Sequence, residues 1–251
     1  RTVTTVDSGE VTAQELAELM VGSELPAPST EPRASDEHVM LSMQGLSVAD
    51  ADGRAAVDAV NLDVHRGEIV GVAGVEGNGQ GELIEAVLGL RPTSGGDLLL
   101  DGESMAGWPV RRRREAGIGY VPEDRHRRGL LPDAPLWENA MLGHQTQPPY
   151  ARGPWLNRSG AREATTRIVS SFDVRTPGID TSARALSGGN QQKLVIGREM
   201  QAGPRMLVAA HPTRGIDVGA QAAVWENLRT ARRDGLAVLL VSADLEELIG
   251  L

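Results

Sequence analysis

Apolar and polar residues alternate over positions 39–46 and again over 59–64, the period-two pattern of antiparallel strands with one covered face. Three shorter runs, Ile69–Ala73, Met206–Ala210 and Ala237–Ser242, are apolar throughout, which predicts strands buried on both faces. Residues 97–100 and 117–121 read as further strands. Helical periodicity marks residues 81–90, 188–200 and 218–234. Buried strands that alternate with helices imply an α/β core with a mainly parallel sheet. From 130 to 183 the pattern turns helical and irregular, with several prolines and tryptophans. Ahead of this body, residues 1–6 read as a strand. Thr12-Ala13-Gln14-Glu15 forms a capping box for a helix over 13–21. Residues 25–36, rich in Pro, Ser, Thr and Glu, read as a linker. No internal repeat is visible.

Composition narrows the function classes. The chain has 251 residues, enough to bury roughly three quarters of its unfolded surface without staples. It has no cysteine, so disulfides, thiolate metal sites and cysteine nucleophiles are excluded. No run approaches ~18 uninterrupted apolar residues, the length needed to cross a bilayer as a helix. The net charge of −9 and the 3% aromatic content argue against a nucleic-acid partner. Lys193 is the single lysine among 25 basic residues. Glycine reaches 30 residues, well above the usual ~7%, and it gathers in short clusters that suggest specific loops. The chain starts Arg1-Thr2-Val3 and stops in Leu248-Ile249-Gly250-Leu251, which reads as a fragment cut from a longer polypeptide.

One cluster, Gly74-Val75-Glu76-Gly77-Asn78-Gly79-Gln80-Gly81, follows a strand and opens a helix, the setting a phosphate-binding loop requires. Backbone N–H groups and the helix start could cradle an anion there. A tight turn with close helix–strand packing accounts for the same glycines. The pattern G-x-x-x-x-G-K-[ST] fails at its two chemical positions. Gln80 stands where lysine would neutralise phosphate, and Gly81 where a hydroxyl would hold magnesium. Charge-assisted hydrogen bonds are about twice as strong as neutral ones, so a glutamine amide is a poor substitute.

A second segment, Leu186-Ser187-Gly188-Gly189-Asn190-Gln191-Gln192-Lys193, puts a hydroxyl and two glycines at a helix start, where donors and the helix dipole face outward. A serine-capped helix would use Ser187 in the same way. In full, the octet resembles the signature motif of ATP-binding cassette (ABC) proteins, in the form seen in nucleoside and simple-sugar importers. Gly119-Tyr120-Val121-Pro122-Glu123-Asp124-Arg125 resembles the Q-loop, with Glu123 at the usual glutamine position. The run from Pro212 to Ala220 resembles the segment leading into the D-loop, with Asp217 as its aspartate. Residues 238–244 resemble the strand that carries the switch histidine. The likeness extends from about residue 40 to 251. It implies a P-loop NTPase-like ABC ATPase core with a mainly parallel sheet, an antiparallel β subdomain, and an α-helical subdomain at about 130–185.

By the same resemblance, residues 1–25 are the C-terminal tail of a preceding cassette, 26–37 a linker, and 38–251 a second cassette truncated at its C-terminus. The departures carry the mechanism. Where the family has a magnesium-binding aspartate and a water-activating glutamate, this sequence has Ala210 and His211. The switch-histidine position holds Ala243, and no aromatic residue between 46 and 59 could stack on adenine. No metal ligand set is expected. Phosphoryl transfer depends on positioning and charge neutralisation, so this cassette alone is expected to be inactive. A degenerate cis loop (Gly74, Gly77, Asn78, Gly79, Gln80, Gly81) would lie beside intact trans elements: Leu186, Ser187, Gly188, Gly189, Asn190, Gln191 and Asp217. ATP and Mg2+ would be held mainly by the partner cassette, with nothing bound tightly here. The other implied partners are membrane permease subunits and, indirectly, a solute-binding protein. The implied location is peripheral, at the cytoplasmic face of the cell membrane. A non-hydrolysing regulatory or scaffolding module is the rival from another class.

Three remaining features read as structural. Arg111 to Arg114 and Arg125-His126-Arg127-Arg128 suggest a solvated surface paired with carboxylates, with permease contact as the second reading. Trp108, Trp137 and Trp155 suggest packing anchors. The five histidines show no metal spacing.

Overall fold

In the computed structural model, residues 37–251 are described; the strand, helix and linker expected before them lie outside the described residues. Strands β1 (Val39–Ala49) and β2 (Ala55–His65) form an antiparallel pair, followed by β3 (Ile69–Ala73) and helix α1 (Gln80–Leu88). Next come β4 (Gly95–Leu100), β5 (Glu103–Ser104), α2 (Val110–Glu115) and β6 (Ile118–Val121). The irregular region contains α3 (Leu136–Ala140), a hairpin of β7 (Ala151–Arg152) and β8 (Trp155–Leu156), and α4 (Arg158–Ser171). The chain closes with α5 (Gly188–Gln201), β9 (Met206–Ala210), α6 (Val218–Arg233), β10 (Ala237–Ser242) and α7 (Leu245–Gly250).

The strands divide into two main sheets. One is antiparallel, in the order β2-β1-β4-β5; the other is parallel, in the order β3-β10-β9-β6. The parallel sheet separates two cores, and residue parity on its central strands shows why those strands are apolar throughout. Met206, Val208, Ala210, Ala237, Leu239 and Val241 pack with α1 and the antiparallel sheet through Leu83, Ala86, Val87, Leu41 and Met43. Leu207, Ala209, Val238 and Leu240 face the other way, onto Leu194, Val195, Ile196, Val224 and Leu228 of α5 and α6. Each full burial of such a side chain contributes about 1.5–3 kcal/mol.

Two expectations need correction. Ile69–Ala73 is a strand but is not buried on both faces: among the described residues it is the sheet's edge, pairs only with β10, and leaves Gly71 and Ala73 exposed. An all-apolar run does not reveal edge position. The irregular region also holds a hairpin, whose strands are too short for alternation to register.

Candidate functional site

The glycine loop bends sharply into α1. Gly77 and Gly79 lie in the left-handed region, at φ 91° and 95°. Gly79 has a second reason to be glycine: a Cβ there would come within 2.1 Å of the Ala56 carbonyl oxygen. The loop is filled by its own side chains. Gln80 Oε1 accepts from the Asn78 N–H at 3.0 Å, and Gln80 Nε2 donates to the Val75 carbonyl at 3.1 Å. Asn78 Nδ2 donates to the same carbonyl at 3.0 Å. Gln80 thus folds back over the loop, so close that a Cβ on Gly74 would meet its Nε2 at 2.3 Å. A backbone donor that an anion would need is engaged internally. Gly81 brings no side chain and so no hydroxyl for a metal.

Opposite the loop lies the end of β9. Ala210 is buried and His211 turns the chain with φ 44°, a region several-fold enriched in His, Asn and Asp among non-glycine residues. The His211 N–H donates to the Val241 carbonyl at 2.8 Å. His211 Nδ1 lies 3.5 Å from the Ala243 N–H, so the three departures Ala210, His211 and Ala243 are neighbours.

Spacing gave no metal set, yet the fold brings ligand atoms of Glu76, Glu123 and His211 within 4.8 Å of one another. The Arg214 guanidinium bridges the two carboxylates, 2.8 Å from Glu76 and in hydrogen-bond contact with Glu123. It supplies the counter-charge they require. The residues present do not fit the magnesium ion of a bound nucleotide: the hydroxyl is missing at 81, the carboxylate at 210, and the two carboxylates nearby already hold an arginine.

The second group forms around the start of α5. Ser187 is its N-cap, accepting from the Asn190 N–H at 3.4 Å and from Asn190 Nδ2 at 2.9 Å. Leu186 is buried beneath it. Gln191 Nε2 donates to the Ala183 carbonyl at 3.0 Å, and Gln192 Nε2 to the Pro212 carbonyl at 2.6 Å. Asp217 caps α6 by accepting from the Ala220 N–H at 2.9 Å. The two glycines are enforced by packing. A Cβ on Gly188 would lie 2.8 Å from Arg125 Nη2, and one on Gly189 would lie 2.8 Å from Ala220 Cβ and 3.2 Å from Asp217 Oδ2. The structure therefore joins Leu186 to Gln191 and Asp217 in one cluster. It places Gly74 to Gly81, Glu123, Ala210, His211 and Ala243 in another. Segment 211–217 contributes to both.

Sequence reasoning missed Glu76, Arg125 and Arg214 as site residues. A carboxylate inside a loop shaped for anions was the available signal for Glu76; nothing local marked the two arginines. The basic runs split on inspection. Arg111 and Arg112 pair with Glu115 and Glu103, as a solvated surface would. Arg113 is instead buried, donating to the carbonyls of Trp108, Ala86, Val87 and Met105. Trp108 is a packing anchor and Trp137 is half-buried, but Trp155 is 77% exposed on the hairpin and anchors nothing. Among the described residues no helix is long and apolar enough to cross a membrane.

Comparison with known proteins bears on this arrangement. Over 249 residues the chain is 44% identical to the guanosine import ATP-binding protein NupO of Bacillus subtilis, covering 99% of this chain and 49% of that protein. It is 39% identical to the nucleoside import ATP-binding protein NupA of Lactococcus lactis, again over 99% of this chain and 49% of that protein. It is also 39% identical to the glucose import ATP-binding protein TsgD13 of Haloferax volcanii, over 99% and 46%. The chain thus spans about half the length of these curated relatives. Among solved structures, the dimeric bacterial ABC transporter cassette MJ0796 superposes with a TM-score of 0.71 at 21% identity, over 84% of this chain and 91% of that one. The cbiO1 protein of Clostridium perfringens gives 0.68 at 20% identity, over 84% and 80%, a likeness of fold alone. Residues 57–214, more than half of the sequence, match the ABC transporter family, and the chain belongs to that family.

Proposed function

We propose that this chain is the second, nucleotide-degenerate cassette of an ABC importer ATPase, with residues 1–25 the tail of a preceding cassette, 26–37 a linker and 38–251 the cassette itself. It supplies its signature segment and Asp217 in trans to a partner cassette that holds ATP and Mg2+ and hydrolyses the nucleotide. The pair sits peripherally on the cytoplasmic face of the membrane, bound to permease subunits that receive solute from a binding protein. The solute class is nucleoside, the class named for the relatives at 44% and 39% identity. The relatives named for glucose and ribose, at 39% and 36%, favour a simple sugar as the second reading.

One contrast carries the proposal. Residues 74–81 and 210–211 offer a triphosphate no uncommitted cation, and the Glu76 carboxylate among them is already paired with Arg214, whereas Ser187, Gly188 and Asp217 form a completed helix-start surface. Each lost charge-stabilising group typically costs about 2.7–4 kcal/mol in the transition state. Such losses do not add, but several together leave no efficient site. Calorimetry of the chain with magnesium-ATP tests this. Heat of binding should be undetectable below millimolar nucleotide. Sub-millimolar affinity, or turnover comparable to an intact cassette that is abolished by changes at 74–81, would refute it. If no cassette partner stimulated by the chain can be found, the scaffolding reading takes its place.

A further inference from the structure

Arg125 opens a short π-helical turn, Arg125–Gly129, fixed by Asp124, whose side chain accepts from the N–H groups of His126 and Arg127. This anchoring leaves the Arg125 side chain free to point inward. Its Nη1 donates to the Arg214 carbonyl at 3.0 Å, its Nη2 to the Gly215 carbonyl at 3.2 Å, and its Nε to Gln191 Oε1 at 3.3 Å. The neighbouring His126 Nε2 lies 2.8 Å from the same Gln191 oxygen. A single planar fork therefore touches three segments separated by up to 90 residues: its own arm after Glu123, the first turn of α5, and the loop that leads to Asp217. Arg125 is half-buried, and burial lowers its pKa while Asp124 opposes the change. A guanidinium placed in such surroundings without partners would be costly, so the three acceptors hold it as firmly as it holds them. The Gly188 position completes the fit, since any side chain there would displace the fork.

We infer that Arg125 is a positioning residue: it clamps the Gly188-Gly189 helix start and the 214–217 loop in one register, so that both meet the partner's nucleotide together. The inference rests on the trans-acting reading above. Lysine cannot replace the fork, because one ammonium cannot reach three acceptors on two segments with planar geometry.

The test pairs two measurements on Arg125→Lys and Arg125→Ala. In the 251-residue chain, hydrogen exchange at the amides of 188–191 and 214–217 should accelerate about tenfold, with the melting temperature close to wild type. In the assembled pair with its hydrolysing cassette, kcat with magnesium-ATP should fall about tenfold while KM stays within about twofold. Millimolar guanidinium ion should restore part of the kcat of Arg125→Ala, and sodium ion should not. Unchanged exchange overturns the clamp. Ser187→Arg, placed on the exposed helix start, separates the two ideas. If Ser187→Arg abolishes partner turnover and Arg125→Ala leaves kcat intact, the positioning role is wrong and the trans reading survives. If neither variant affects turnover, the trans reading fails and the inference with it.

Discussion

Glu199 is the most consequential residue that carries no motif. It is 1% exposed and bonded to Arg114 Nη1 at 2.7 Å, Arg198 Nε at 2.9 Å and the Tyr120 N–H at 3.1 Å. Burial alone would raise its pKa. Arg198, the nearby His144 at 3.8 Å and Arg114 more than offset this and hold the carboxyl well below the usual carboxylate range. A depressed folded pKa stabilises the protein above the unfolded value, near the ordinary glutamate value of 4.5, and that contribution disappears as pH falls below it. Glu199→Gln leaves two arginines without their counter-charge and should cost about 3–5 kcal/mol at pH 7. Its melting temperature should also decline less than that of wild type between about pH 5 and pH 3. Equal acid slopes for both proteins would show that Glu199 is not the group that titrates. Single residues were legible in the sequence only where a motif fixed their neighbours. Gln80, Gly81, Ala210 and His211 could be read because their positions follow from adjacent residues. Glu199 pairs across 85 positions and Arg125 reaches 90, and no local pattern encodes such a meeting.

At the scale of elements, amphipathic period and capping chemistry carried most of the information. Helices α5 and α6 were readable almost to the residue because Ser187 and Asp217 are strong N-caps, and β9 and β10 because their neighbours bury both faces. The edge position of β3 and the hairpin of β7 and β8 were not readable: the first depends on which strand has only one neighbour, the second is shorter than one alternation. The cap of α5 permits a separation of fold from function. Ser187→Ala should lower stability by about 1 kcal/mol, and Ser187→Gly by only a few tenths. For a chain of this size, 1 kcal/mol moves the melting temperature by about 2–4 °C. Both variants lose the hydroxyl, so both should reduce turnover in the partner cassette to a similar extent. If turnover instead follows melting temperature, with glycine nearly wild type, Ser187 acts only as a cap.

The whole molecule is organised by the parallel sheet, which separates a core shared with α1 and the antiparallel sheet from one shared with α5 and α6. The glycine loop leads into the first of these layers, and the signature helix belongs to the second. Changes in one layer need not disturb the other. Gln80, Gly81 and Ala210 can stand in a loop and strand end that still fold, because their positions need only the turn and the packing. Ser187, Gly188 and Gly189 are held by Arg125, Ala220 and the caps. In the proposed pair, where each cassette's signature segment faces the other's loop, there are two composite clefts. One joins the partner's loop to this chain's signature segment, and the other joins this chain's loop to the partner's. Only the first would have cations and metal ligands not already committed to one another. A pair carrying a catalytically blocked partner should therefore retain one nucleotide after rapid gel filtration in magnesium-ATP, counted by chromatography after denaturation. Gln80→Lys alone should not raise the count, because Gly81 and Ala210 still provide no metal ligand and Glu76 and Glu123 keep Arg214 engaged. Two nucleotides per wild-type pair would mean that backbone donors of the loop suffice, and that the internal bonds of Gln80 yield to a phosphate.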